Sequence, residues 1–181
     1  KYTTETLAVT ALGVGVVKAD LHAHESDPII RPPGGKSETE LLAECIKCGR
    51  CIQECPVDAL AFAGLGEGFL RSGTPILASR KAGCITWDES CLECITVCPT
   101  EALETVPTDE RGIPTGAVIA RAQIDDTRCI NCNNCYPICP VDAVLPEGEA
   151  DRPTFSIDHE ACVGCGKCVE ICPVDDKAVE L

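Results

Sequence analysis

Three times the chain repeats one spacing: Cys, two residues, Cys, two residues, Cys, three residues, Cys, Pro. A thiol at every third position leaves little room for a packed side chain between, so such a stretch is confined to a tight loop around whatever the thiols hold. The first run is Cys45, Cys48, Cys51, Cys55 and Pro56; the third is Cys129, Cys132, Cys135, Cys139 and Pro140; the fourth is Cys162, Cys165, Cys168, Cys172 and Pro173. A second group, Cys84, Cys91, Cys94, Cys98 and Pro99, keeps the rhythm in its last three cysteines and sets the first behind a gap of six residues.

This is the bacterial 4Fe-4S spacing, in which three thiolates of one run wrap a cube and the fourth cysteine serves the cube of another run. Runs therefore work in pairs, and an even number of them predicts four 4Fe-4S clusters with all sixteen cysteines as iron ligands. Zinc prefers two separated Cys-x-x-Cys pairs, and disulfide frameworks or thioredoxin-like motifs do not repeat compact four-cysteine runs ending in proline. No Cys-x-x-Cys-His occurs, so covalent haem is not indicated.

The tails of the runs repeat as well: CPVDAL from Cys55, CPTEAL from Cys98, CPVDAV from Cys139 and CPVDDKAV from Cys172. Proline at a first helical position, with Asp58, Glu101, Asp142 and Asp175 in the first turn, predicts a short helix after each run. Gly49, Asn133 and Gly166 come directly after the second cysteines of their runs and tolerate left-handed backbone. Leu92 holds that place in the second run, which predicts a differently shaped loop there, with Trp87 inside it and a cluster of different potential.

Composition explains why such a chain needs iron. Its 181 residues include three Phe, two Tyr, one Trp and no Met. So thin an aromatic core predicts no stable fold without metal staples. The formal charge of -14 excludes a basic nucleic-acid footprint. That charge is uneven: residues 36–81 carry six basic and six acidic side chains, and residues 141–181 carry three basic and ten acidic. The acidic part is either a solvated face or a surface that steers a basic redox partner.

Residues 1–24 differ from the rest. Leu7 to Val17 are small and apolar, like a signal-peptide core, too short to cross a bilayer alone. A membrane-associated or buried segment is the competing reading. Residues 25–36 form a Pro/Gly-rich linker, ESDPIIRPPGGK, and residues 37–181 form the cluster-binding region. GAVIARAQID and PTFSID read as short strands leading into the third and fourth runs. The fold class expected is α+β: two bacterial-ferredoxin-like modules, each with a pair of clusters, short helices and small antiparallel ribbons.

No nucleophile with a partnered base, phosphate loop, or flavin or nicotinamide fingerprint is present. Catalysis belongs on a partner chain, and this one is not an enzyme. His22, His24 and His159 could bind metal but read better as surface histidines. Asp125, Asp126, Asp158 and Glu160 precede cysteine runs and read as turn and helix-start residues.

With RPPGG at 31–35, the first run, SGTPILASR at 72–80 and the spaced later runs, the chain resembles the periplasmic ferredoxin-type proteins of the nitrate-reductase NapG and methylamine-utilisation MauM group. The likeness covers residues 31–181; the gap between Cys84 and Cys91 departs from it. The resemblance implies a twin-arginine leader, a periplasmic location with membrane anchoring where that leader stays uncleaved, and electron relay between a membrane quinone-linked partner and an oxidoreductase.

The chain also resembles the four-cluster subunits of dimethyl-sulfoxide-reductase-type enzymes, which implies nested pairing. An outer module would use runs one and four, with Cys172 joining Cys45, Cys48 and Cys51, and Cys55 joining Cys162, Cys165 and Cys168. An inner module would use runs two and three, with Cys139 joining Cys84, Cys91 and Cys94, and Cys98 joining Cys129, Cys132 and Cys135. Tandem pairing is the alternative. Two rival functions are an electron-transfer subunit of a hydrogenase, formate dehydrogenase or molybdenum oxidoreductase, and a cluster-based sensor, which would lack any DNA-binding element.

Overall fold

The computed structural model describes residues 29–148 and 153–181; the leader-like segment 1–24 and the start of the linker lie outside them. The described chain is assembled from very short elements, as closely spaced cysteines require. In order they are α1 (Glu38–Glu44), α2 (Arg50–Gln53), β1 (Leu60–Phe62), a 3-10 turn (Leu65–Glu67), β2 (Pro75–Leu77), α3 (Thr86–Glu89) and α4 (Glu93–Thr96). Then come β3 (Gln123–Ile124), β4 (Val144–Glu147), β5 (Thr154–Ile157), α5 (Lys167–Ile171) and β6 (Val179–Glu180). This is the α+β arrangement of short helices and small ribbons expected from the sequence.

Three antiparallel ribbons set the topology. β1 pairs with β2 in the register Leu60 to Leu77 and Phe62 to Pro75. β4 pairs with β5, Val144 opposite Ile157, and β3 pairs with β6, Ile124 opposite Val179. The ribbon β1–β2 lies between the first and second runs, and β4–β5 lies between the third and fourth. Each hairpin folds the next run back onto the one before it. The modules are therefore the amino-terminal and carboxy-terminal halves, not the outer and inner modules that nested pairing would make.

Each half has its own apolar centre. Leu41, fully buried, packs with Ala59, Leu60, Leu77, Ala82, Cys94 and Leu103 in the first half. Ala122, Ala143, Cys162, Cys168, Val169, Cys172, Ala178 and Val179 form the second. The second core is built of alanines, valines and cysteines, whereas leucines supply four of the seven residues of the first.

Polar contacts close the first half over its entry segment. Arg31, 9% exposed, donates from Nε and Nη2 to Glu38 at 2.9 and 2.7 Å, and from Nη1 to Thr74 Oγ1 at 2.8 Å and Pro75 O at 2.7 Å. Arg71 reaches the same Glu38 carboxylate at 3.0 Å. Burial pushes the Glu38 carboxyl up, but the two guanidinium groups outweigh it and hold it below its ordinary range.

The helices expected after each Cys-Pro are absent among the described residues, and those present sit inside the cysteine runs or ahead of them. Asp58, Glu101 and Asp142, each three residues past the last cysteine of its run, are left-handed, with φ of 54°, 57° and 51°. A left-handed residue ends helical winding at once. The reason is the sulfur: the turn brings the Ala59 N–H to Cys55 Sγ at 3.3 Å and the Ala143 N–H to Cys139 Sγ at 3.3 Å. These amides serve thiols where a helix would direct them to carbonyls. The fourth tail carries two extra residues before Ala178, and there the Lys177 ammonium bonds Cys172 O at 2.6 Å.

Candidate iron-sulfur centres

The local backbone of each run aims its thiols inward. Gly49, Asn133 and Gly166 are left-handed as expected, at φ 73°, 66° and 83°, while Leu92 has a φ of −130°. The residue before the second cysteine is also left-handed in all four runs: Lys47, Ser90, Asn131 and Gly164, at φ 56°, 57°, 53° and 78°. Ser90 thus preserves in the second run half of the turn that Leu92 abandons. Only the comparison of four runs in three dimensions makes that position visible, because Lys and Ser carry no left-handed signature.

Four cavities result, and four thiols line each. Cys45, Cys48, Cys51 and Cys98 line the first, and Cys55, Cys84, Cys91 and Cys94 the second. Cys139, Cys162, Cys165 and Cys168 line the third, and Cys129, Cys132, Cys135 and Cys172 the fourth. This corrects the nested pairing. Cys172 lies with the third run rather than with Cys45, Cys48 and Cys51; Cys55 lies with the second run; Cys98 and Cys139 likewise go to the neighbouring run in sequence. The hairpins β1–β2 and β4–β5 bring the first run to the second and the third to the fourth.

The cavities suit a cube. Each holds between about 330 and 430 Å³ of empty space, counting the part open to solvent. A zinc ion with bonds of about 2.3 Å to sulfur needs its thiols converged on one point. Here they surround a space, and no group of three or more His, Cys, Asp or Glu among the described residues is arranged to hold a single ion. Amide donors aimed at sulfur complete the fit: besides Ala59 and Ala143, the Ala122 N–H points to Cys162 Sγ at 3.4 Å. Such hydrogen bonds stabilise sulfur-borne negative charge.

Burial and mutual proximity set the thiol chemistry. Burial first, then the neighbouring thiols, pushes Cys94 and Cys168 up to about 12. Burial pushes Cys51 and Cys165 up to about 11, the latter against a bond from the Lys167 amide. Iron ligation must remove those protons. Cys98 goes the other way: burial raises it, but the amides of Leu103, Thr100 and Ala102 and the Thr100 hydroxyl bring it below the ordinary thiol range. Burial also raises Cys84, against the hydroxyl and amide of Thr86.

The loop of the second run holds two of the most buried side chains near any thiol. Thr86, 1% exposed, places Oγ1 3.0 Å from Cys84 Sγ and donates to Cys91 O at 2.8 Å. Trp87, 4% exposed, is buried beside it, its Nε1 without a hydrogen-bond partner among the described residues. Sequence reasoning singles out Trp87 and misses Thr86, whose signal is a hydroxyl two residues after a ligand; Thr100 repeats it after Cys98, at 3.8 Å.

The remaining candidates have structural roles. His159 bonds Ala122 O at 3.0 Å; His22 and His24 lie outside the described residues. Asp125 accepts from Thr127 Oγ1 at 2.6 Å and Arg128 Nε at 2.6 Å, which hold its carboxyl down to about 2. Asp158 accepts from the Glu160 amide at 2.8 Å. Both are turn residues four positions before a first cysteine, whose amide bonds their carbonyl at 2.9 Å. Asp126 and Glu160 are exposed.

A fold of paired four-thiol cavities defines a class of protein, and two 4Fe-4S dicluster domain models match the sequence, one over residues 122–181 and another over 44–102 and again over 84–143. The chain belongs to the 4Fe-4S dicluster family, and two such domains carry four clusters. Among individual proteins it is similar to the ferredoxin-type protein NapG of Escherichia coli, 31% identical over 137 residues, which are 73% of this chain and 57% of NapG. The methylamine utilization ferredoxin-type protein MauM of Methylorubrum extorquens is 31% identical over 75% of this chain and 58% of its own length. The thiosulfate reductase electron transfer subunit PhsB of Salmonella typhi is 33% identical over 61% of this chain and 57% of its own. The chain thus spans little more than half the length of these relatives.

Proposed function

We propose that this protein relays single electrons along a row of four 4Fe-4S clusters, each held by the four thiols of one cavity, and that catalysis takes place on partner chains. A bound cube supplies a one-electron couple in which the ligands barely move. The chain's own residues hold the thiols, aim amides at sulfur and insulate the middle of the row from water. One observation carries the reading: four cavities, each walled by four cysteine thiols, with no other reactive constellation among the described residues.

The row has two ends. Among the sixteen cysteines only Cys48 and Cys132 are exposed, one in the first cavity and one in the fourth, whereas Cys94, Cys162, Cys165, Cys168 and Cys172 are buried. Exposed thiol ligands mark where electrons enter and leave. At the first end Ile46, Phe62, Leu65, Phe69 and Leu70 are all more than half exposed. An apolar patch of that kind marks a docking surface, and it fits the membrane quinone-linked partner. The fourth end lies in the acidic part of the chain, where Asp125, Asp176 and Glu180 outnumber the Arg128 and Arg80 guanidinium groups they pair with, and fits a basic oxidoreductase surface.

The periplasmic location, with export by a twin-arginine leader and anchoring through residues 1–24, belongs to the same reading and rests on the likeness to NapG and MauM. No helix among the described residues is long and apolar enough to cross a membrane.

Anaerobic purification followed by iron and sulfide counting and potentiometric EPR tests the relay. About sixteen of each per chain is expected for four cubes; zinc in their place, or iron for only two or three cubes, sinks it. Replacing Cys84 with Ser removes or shifts the signal of the second cluster, and its retention unchanged would show that Cys84 is no ligand.

A further inference from the structure

In the first, third and fourth runs, the amide of the first cysteine bonds the carbonyl four residues earlier: Cys45 to Leu41 O at 2.8 Å, Cys129 to Asp125 O at 2.9 Å and Cys162 to Asp158 O at 2.9 Å. The second run breaks this rule as it breaks the spacing. The Cys84 amide donates to Cys165 O, in the other half of the molecule, at 2.7 Å. Cys84 lines the second cavity and Cys165 the third.

The surroundings clamp this contact from both sides. The Gly83 amide donates to Glu170 Oε2 at 2.8 Å. A Cβ on Gly83 would stand 2.7 Å from the Lys167 backbone, so only glycine lets the two segments approach this closely. The Lys167 ammonium pairs with Asp88, inside the long gap of the second run, and Gly166 packs on Ser79.

We propose that electrons cross between the two halves at the Cys84–Cys165 contact, and that the widened gap between Cys84 and Cys91 exists to build it. Detaching the first cysteine from the tight loop frees its backbone to bond outward, while Asp88 within the gap secures Lys167 of the fourth run. The route from one sulfur to the other then runs through two cysteine side chains, their backbones and a single hydrogen bond. One electron leaves the group held by Cys55, Cys84, Cys91 and Cys94, which is oxidised by one, and reaches the group held by Cys139, Cys162, Cys165 and Cys168, which is reduced by one. No bond breaks and no proton moves.

The inference rests on the relay reading, and the experiment separates the two. Fully loaded wild-type protein, reduced with dithionite, is expected to show EPR signals broadened by spin coupling that extends across both halves. Gly83→Val forces the two segments apart at the crossing. It is expected to keep its full iron and its individual potentials, to lose the coupling between halves, leaving the spectrum of two independent cluster pairs, and to slow electron equilibration between them after flash reduction. Gly66→Val, at a glycine with nothing within 4 Å of its added Cβ, keeps the wild-type pattern. Undiminished coupling and equilibration in Gly83→Val overturn the proposal. If that variant fails to take up iron, the Asp88→Asn, Lys167→Gln double variant decides by the same readout: independent pairs support the crossing, and wild-type coupling refutes it. Wild-type protein with four cubes but uncoupled halves refutes the crossing alone; protein without cubes refutes the relay itself.

Discussion

Replacing Thr86 with Val tests whether a side-chain hydroxyl sets the potential of the second cluster. The hydroxyl lies 3.0 Å from Cys84 Sγ and is almost wholly buried, so water cannot take its place. With Cys84 as a thiolate only Thr86 can donate between the two, so its single proton turns from Cys91 O to Cys84 Sγ, and that hydrogen bond favours the more negative, reduced state. If the hydrogen bond is about 1 kcal/mol stronger in the reduced state than in the oxidised one, on the scale of a typical net hydrogen bond, that difference sets the shift. In a one-electron couple about 59 mV corresponds to a tenfold change, or about 1.4 kcal/mol. Loss of the hydroxyl therefore lowers the potential by about 40 mV. Potentiometric EPR on the variant reads this directly, with the other three clusters as internal references. Thr86→Ser keeps a hydroxyl and restores the wild-type value. An unchanged or raised potential in Thr86→Val, or an equal shift in all four clusters, would refute the argument.

Arg31→Met removes four hydrogen bonds from a buried guanidinium but leaves Glu38 neutralised by Arg71; the expected loss is about 2 kcal/mol, seen as a lower denaturant midpoint of the loaded protein. Glu101→Gly is tolerated, because its position is left-handed, whereas Glu101→Val costs about 1–2 kcal/mol in backbone strain and turns the amides away from Cys98; iron content of the first cavity separates them. Stripping iron with a chelator under reducing conditions unfolds both halves, since each core is small and has cysteines packed in or against it; loss of far-UV circular dichroism checks this. Phe69→Glu, in the apolar patch at the first end, weakens electron exchange with an apolar-faced partner and leaves all four potentials unchanged, which stopped-flow reduction against potentiometry distinguishes.

The cysteine rhythm makes the centres legible, because three repeated runs admit few chemistries. Gly49, Asn133 and Gly166 are equally readable, since a residue that tolerates left-handed backbone stands at one place in each of their runs. The tails after Pro56, Pro99 and Pro140 mislead for a definite reason. Proline with an acidic residue soon after is the local signature of a helix start, yet sulfur competes for the same amides and pulls the chain through Asp58, Glu101 and Asp142 into a turn. A repeated alanine four residues after the last cysteine is the available clue. Pairing is not written in spacing at all: every run can offer its last thiol to any other, and the choice falls to the ribbons β1–β2 and β4–β5. Nor can a linear pattern reveal that the Cys84 amide bonds across to Cys165.

Because each half draws its ligands from a continuous stretch, maturation can keep to the order of synthesis. Once Leu103 has left the ribosome, the amino-terminal thiols are all available to receive iron and sulfide while the remainder is still being made. An arrangement joining the first run to the last would instead leave early thiols exposed to oxidation until translation ended.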